Sequence, residues 1–407
     1  MAPPATNAIA IPPFLTPSKS EFDHIFKVLA SREQARRVCS HRSHQSTSAS
    51  VDRLAGRNDP DADPYSTRVG TSRDNMRNNR YGDIIAYDST RILLPSTDRF
   101  FYVNASLVTE PDLGFPAELL PRRHWVAAQG PTGSTVPSFL SLLLHAPTSP
   151  AFASSNADQR EVLPLVNLIV QLTPLVEQNR EKCAPYFPSD RVGEEWFWSG
   201  DEREDGGDQG VWVRFEGRED AQGVEGERRS WLRVGTEGDE QGRRVLHVEY
   251  LGWRDHGVPS SPSHLLSFIN RMNKLNASLS SNGEDDRPAP ILLHCSAGVG
   301  RTGTYLSISS LLPLLSLLRA GPELESTLSA STDGALQQPA HSLKEEYPVD
   351  STIQTDSRQV CCDFVGLTVD RIRDQRTTMV QTKDQLEFVY NALQTAWTES
   401  SSTVESG

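Results

Sequence analysis

Pro290-Ile-Leu-Leu293-His294-Cys295-Ser296-Ala297-Gly298-Val299-Gly300-Arg301-Thr302-Gly303 decides the reading of this chain. A short apolar run, as expected of a buried strand, leads into small residues, and residues 302–318 then continue as a helix. Small residues let successive peptide N–H groups turn inward as an anion nest, and a helix starting just afterwards adds the positive end of its dipole. Such a setting favours thiolate over thiol at Cys295, taking a cysteine pKa from ~8.5 into a range of roughly 3.5–7.5. Arg301 carries a planar fork that can grip two phosphate oxygens, which a lysine would do poorly. Thr302 places a hydroxyl near the sulfur, where it can assist the cysteine's departure. His294 is read as orienting the loop by hydrogen bonding, not as a base. A lone cysteine in a glycine-rich turn would be structural. Cysteine, glycines and arginine at these spacings imply phosphate-ester chemistry through a thiolate, with Ser296, Ala297, Gly298, Val299 and Gly300 lining the anion site.

The 407 residues carry 40 Lys and Arg against 53 Asp and Glu, a formal charge of −13, with no basic tail. Nucleic acid and anionic membrane are therefore poor partners. The most apolar stretches, 139–144 and 308–318, are broken by Ser and Pro and fall short of the ~18 residues of a membrane span. No signal peptide or lipidation motif is read at either end. Five cysteines, an odd count, point to reduced thiols, and adjacent Cys361 and Cys362 suit neither a disulfide nor zinc. The expectation is a soluble, cytoplasmic, monomeric protein that uses no metal or cofactor.

Residues 1–20, rich in Pro, Ala and Ser, are expected to be disordered. From Glu21 to Val38 Phe22, Ile25, Phe26 and Leu29 recur at helical spacing behind a cap at Ser20. Residues 43–70 read as a mobile linker, with dense structure starting at Arg80. Residues 166–172, 211–215 and 245–250 read as strands, and the glycine- and acid-rich stretches within 200–243 as solvated hairpin loops. A low-complexity insertion covers 321–358. Residues 363–397 alternate helix with one loop, and 399–407 form a disordered tail. The fold class is α/β, with the site at a strand–helix junction inside one domain spanning 21–398.

Further stretches stand in order around the loop. They are Asn79-Arg80-Tyr81-Gly82-Asp83, Asp88-Ser-Thr-Arg91-Ile92, Tyr102-Val-Asn104-Ala-Ser106 and His124-Trp125-Val-Ala-Ala-Gln129-Gly130-Pro131. Lys182-Cys183-Ala-Pro-Tyr186-Phe187-Pro188, Trp253-Arg254-Asp255-His256-Gly257-Val-Pro259 and Gln381-Thr-Lys-Asp-Gln385 follow. With the Cys295 loop they resemble the protein tyrosine phosphatases, the phosphotyrosine-restricted branch, in a non-receptor, fungal-like intracellular form. The resemblance implies a single domain with a highly twisted mixed sheet flanked by helices, acting on phosphotyrosine-containing proteins.

Roles follow from that resemblance. Asp255 is the general acid and then the base, on an acid loop framed by Trp253; Arg254 stands where the family has proline. Tyr81 walls a pocket deep enough to admit only phosphotyrosine, and Asp83 accepts from the substrate backbone. Glu177 holds Arg301 by an ion pair, and Lys182 approaches Asp255. Gln381 positions the hydrolytic water, supported by Gln385. His124–Pro131 is assigned to packing, and Cys183 to the core.

Overall fold

The computed structural model describes residues 10–45, 63–94, 102–155, 162–199, 210–219, 226–253, 257–280, 287–320 and 363–402. Its frame is an eight-stranded mixed sheet. The strands are β1 (Ala105–Thr109), β2 (His124–Ala128), β3 (Leu168–Gln171), β6 (Glu195–Trp198), β7 (Val211–Glu219), β8 (Glu227–Thr236), β9 (Arg243–Tyr250) and β10 (Ile291–His294), in the order β1-β2-β10-β3-β9-β8-β7-β6. A separate two-stranded hairpin joins β4 (Val176–Glu177) to β5 (Arg180–Glu181). The four central strands β2, β10, β3 and β9 run parallel, and the flanking pairs are antiparallel.

Parallel strands are covered on both faces, so they read as continuous apolar runs and not as alternating ones. The period-2 geometry still divides them. Leu168, Val170, Ile291 and Leu293 pack on one side, while Ile169 and Leu292 pack on the other. The first side is covered by α1 (Lys19–Gln45), α4 (Pro262–Ser280), α5 (Gly300–Arg319), α6 (Phe364–Arg373) and α7 (Lys383–Ser402). The second meets α2 (Val136–Ser141) through Phe139 and Leu140, and Tyr186. Another short helix, α3 (Pro150–Ser155), follows β2. Helix α5 lies so close to the chain ahead of α7 that a Cβ on Gly303 would come within 2.4 Å of the Val380 nitrogen. No helix among the described residues is long and apolar enough to cross a membrane.

Several expectations require correction. Residues 1–9 lie outside the described residues, but within 10–20 Pro13–Leu15 forms a 3-10 turn with Phe14 and Leu15 buried, Leu15 fully. The α1 cap is Ser18, not Ser20. The Ser18 N–H donates to Glu21 Oε2 at 2.7 Å, and the Glu21 N–H to Ser18 Oγ at 3.3 Å, a reciprocal capping box. Helix α1 then runs past Val38 to Gln45, tied to α6 by Arg36 against Asp370 (2.6 Å) and Asp374 (2.8 Å).

Dense structure starts before Arg80. Residues 46–62 lie outside the described residues, whereas Tyr65, Ser66 and Thr67 are buried and Asp88 accepts from Ser66 Oγ, at 2.6 Å, and from two backbone N–H groups. Much of 200–243 is sheet: β7 and β8 are long strands bearing cross-strand Arg–Glu pairs, a charged pattern that resembles loop composition in sequence. The stretches 200–209, 220–225 and 321–362, with Cys361 and Cys362, lie outside the described residues. At the other end α7 extends to Ser402, beyond the expected boundary at 398, and 403–407 lie outside.

Because Leu15 is wholly buried, Leu15→Ala is expected to cost about 2–5 kcal/mol, read as a lower midpoint in urea unfolding. An unchanged midpoint would restore the view of 10–20 as a loose tail.

Candidate active site

All four parallel strands point their C-terminal ends at one place, the position where open α/β sheets hold ligands. β10 delivers Cys295, β3 delivers Thr173 and then Glu177, β2 delivers Gln129 and Gly130, and β9 delivers Trp253. A cleft of ≈ 530 Å³ opens there, with Cys295 and Arg301 in its lining.

The loop from Cys295 to Gly300 has its carbonyls accounted for one by one. The Cys295 carbonyl accepts from His294 Nδ1 at 3.2 Å, and that of Ser296 from the Gly130 N–H at 2.9 Å. Arg376 donates to Ala297 O at 3.1 Å and to Gly298 O at 2.7 Å. Val299 O accepts from the Gly303 N–H at 2.8 Å, and Gly300 O from Thr304 Oγ1 at 3.0 Å. Carbonyls held on the outer side leave the peptide N–H groups turned toward the cleft, where an anion would find them. The Gly298 N–H already reaches Cys295 Sγ at 3.2 Å. Gly298 is obligatory: its φ is +72°, and a Cβ would lie 2.2 Å from the Ala128 carbonyl.

Arg301 is held from behind. Nη2 donates to Glu177 Oε2 at 3.0 Å, Nη1 donates to Thr173 Oγ1 at 2.8 Å, and Nη1 lies 2.8 Å from Glu177 Oε1 as an ion pair. Glu177 sits on the β4–β5 hairpin, whose two turn residues, Gln178 (φ 49°) and Asn179 (φ 59°), are both left-handed. That is the tight two-residue hairpin turn, and it fixes the carboxylate.

The walls are tied to the loop. Tyr81 Oη lies 2.8 Å from Ser296 Oγ, and Ser296 Oγ donates to the Lys182 carbonyl at 2.9 Å. The Tyr81 segment is anchored by Asn79, which accepts from Tyr102 Oη and Asn104 Nδ2, and by the Arg80 N–H donating to Gln129 Oε1 at 2.9 Å. The 124–131 stretch thus packs as expected and braces the cleft as well. Asp83 is exposed at the rim. Gln381 and Gln385 also line the cleft, the Gln381 N–H donating to Gln385 Oε1 at 2.9 Å. Trp253 is buried, its Nε1 donating to Gly257 O at 3.0 Å and so joining the two ends of the acid loop. Asp255, the expected acid, and Arg254 lie outside the described residues, so the approach of Lys182 to Asp255 does too. Thr302 Oγ1 is buried without a hydrogen-bond partner among the described residues. Cys183 is in the core, and burial pushes its thiol up.

Behind the loop runs a buried polar chain. Tyr186 Oη lies 3.0 Å from His294 Nε2 and 3.0 Å from Gln171 Oε1, which also accepts from His247 Nε2 at 3.1 Å. Burial pushes His294 down to about 4 and His247 down to about 3, so both rings are neutral near pH 7, consistent with an orienting role for His294.

Arg376, Thr173 and Gln171 were not legible as site residues. Arg376 is fully buried, and its partners Gly298 and Asn104 are 78 and 272 positions away, so no local pattern marks it.

A thiol and an arginine on one anion-binding loop, between a central parallel strand and a helix, define the class of cysteine-based phosphatase folds. The chain belongs to the protein-tyrosine phosphatase family, whose model matches residues 75–149 and 165–328. It is 32% identical over 241 residues to human receptor-type tyrosine-protein phosphatase C, covering 58% of this chain and 15% of that one. Drosophila melanogaster tyrosine-protein phosphatase 69D is 30% identical over 257 residues, covering 61% of this chain and 14% of that one. Tyrosine-protein phosphatase 1 of Saccharomyces cerevisiae is 27% identical over 341 residues, 81% of this chain and 84% of that one. The chain thus spans about 15% of the receptor-type relative and most of the yeast one.

Removing the Arg376 donors leaves two loop carbonyls unpaired, so Arg376→Met is expected to lower kcat/KM on the order of 10²-fold, the cost of a displaced catalytic loop. Near-wild-type turnover would show that the loop needs no such brace. For the buried histidines, the unfolded chain takes up protons below about pH 6.5 while the native rings resist until about pH 4 and 3. Their contribution is therefore present above pH 6.5 and lost on acidification, on the order of 2 kcal/mol per histidine between pH 6.5 and 5. Urea unfolding across that range measures it, and replacing His247 with Gln is expected to flatten the slope.

Proposed function

We propose that this chain hydrolyses phosphotyrosine in proteins through a cysteinyl-phosphate intermediate. The observation that carries the reading is the outward capture of every carbonyl from Cys295 to Gly300, which turns an amide nest toward a sulfur at the floor of a tyrosine-walled cleft. In the first step the Cys295 thiolate attacks phosphorus and the phosphorus–oxygen bond to tyrosine breaks. Asp255 gives its proton to the departing oxygen. Arg301 and the loop amides hold the three equatorial oxygens, whose negative charge is what most needs stabilising. In the second step Gln381, supported by Gln385, positions a water. Asp255 takes its proton, the new phosphorus–oxygen bond forms, and Cys295 leaves as thiolate with Thr302 at hand to donate to it.

Tyr81 and Asp83 select the substrate: the ring gives depth that a phosphoserine side chain cannot span, and the carboxylate accepts from the peptide backbone. Arg301 and the amides supply the positive field that other phosphatases take from a metal. The reading places one catalytic unit across residues 10–402, acting as a monomer in the reducing cytoplasm, where Cys295 stays a thiol.

Phosphotyrosine and phosphoserine peptides, assayed with chelator present, test this directly. The wild-type protein is expected to turn over only the phosphotyrosine peptide, and Cys295→Ser to be inactive. Asp255→Ala should lose about 10²–10⁴-fold in rate, the usual worth of a general acid. Activity retained in Cys295→Ser, or equal turnover of phosphoserine, would overturn the proposal.

A further inference from the structure

We infer that Arg180 makes the cleft selective for substrates with an acidic side chain close to the phosphotyrosine, an inference that rests on the function proposed above. Glu177 and Arg180 face each other directly across the β4–β5 hairpin, and opposed residues of an antiparallel pair project from the same face. That face is the one from which Glu177 reaches Arg301, so Arg180 emerges on the cleft side and lines it. The carboxylate opposite it is already taken, since both Glu177 oxygens lie within 3.0 Å of Arg301 nitrogens.

The neighbouring cations are committed. Arg80 donates to the carbonyls of Gly130, Pro131 and Glu181 and pairs with the Glu181 carboxylate at 3.1 Å, which uses the other acidic group of the hairpin. Arg301 is clamped as described. The Arg180 guanidinium, by contrast, is exposed and makes no hydrogen bond or ion pair among the described residues. Its backbone is not loosely placed, because the two left-handed turn residues before it lock the hairpin on which Glu177 meets Arg301.

The Tyr81–Asp83 segment, which Arg80 ties to this hairpin through Glu181, carries the complementary group. Asp83 is exposed there, and beside it a Cβ on Gly82 would meet nothing within 4 Å, leaving open space for a peptide. A chain seated at the mouth with its phosphotyrosine in the nest meets both groups of the lining, Asp83 to accept backbone N–H groups and Arg180 to take an acidic side chain. A guanidinium in that position binds a carboxylate in a forked pair. Because the pair is exposed at a rim, its effect is modest and sensitive to salt.

The test uses three phosphotyrosyl peptides identical except for Glu, Ala or Lys at the positions flanking the phosphotyrosine. The full-length wild-type, Arg180→Ala and Arg180→Glu proteins are compared by kcat/KM at low and high salt. The wild type is expected to prefer Glu over Ala about three- to ten-fold, less so at high salt. Arg180→Ala should lose that ratio, and Arg180→Glu should invert it toward Lys. The same ratio in all three proteins, or no preference in the wild type, would overturn the role of Arg180. Failure of the wild type to hydrolyse any of the peptides would instead reject the phosphatase reading on which the inference stands.

Discussion

A peptide loop cannot turn its N–H groups toward an anion without turning its carbonyls away, and those carbonyls must then find donors. Here the donors are a buried arginine, a buried histidine, a backbone N–H from the neighbouring strand end, and the first turn of α5. Arg376 is the most demanding of them. Burial pushes its guanidinium down to about 10, still well above neutral, so the charge persists in the interior, where it makes four donor contacts. Gly298 supplies the remaining condition, a left-handed residue where a side chain would strike the Ala128 carbonyl. The sheet, the α6–α7 connection and the 102–106 segment converge to satisfy this one loop.

The division between rigid and selective parts follows from the topology. Parallel strand ends bring Cys295, Thr173, Gly130 and Trp253 together, so the floor of the cleft is built on the centre of the sheet. Short attachments then carry the parts to which we assign the choice of substrate: the Tyr81–Asp83 segment, tied down at Asn79 and Ser296, and the β4–β5 hairpin, tied down through Glu177 and Glu181. Positioning of this kind is where most of the rate of phosphoryl transfer arises, since the protein contributes little other covalent chemistry.

The central strand and the loop after it were legible because their signal is local: an apolar run, small residues, a cysteine and an arginine within fourteen consecutive positions. Glu177 was legible through resemblance, and its ion pair with Arg301 is present. Arg376 and Gln171 were not, because a buried polar residue looks in sequence like any surface one until its distant partners are known. Charge was misleading in the same way. β8, Glu227–Thr236, carries Arg228, Arg229 and Arg233, which pair across the sheet with Glu249, Glu219 and Glu216, so a stretch beside glycine- and acid-rich turns proved to be a ten-residue strand. Pro13–Leu15 was missed because a three-residue turn with two buried side chains makes no periodic pattern.

The account rests on Cys295 becoming covalently phosphorylated. Its most direct measurement is rapid acid quench of the protein with a phosphotyrosyl peptide, using Gln381→Ala to slow the second step, followed by peptide mass analysis. The account predicts the added mass of one phosphoryl group on the peptide containing Cys295, rising as tyrosine is released and decaying as phosphate appears. Release of tyrosine with no phosphoryl group on the protein, or with the group on another residue, would contradict it.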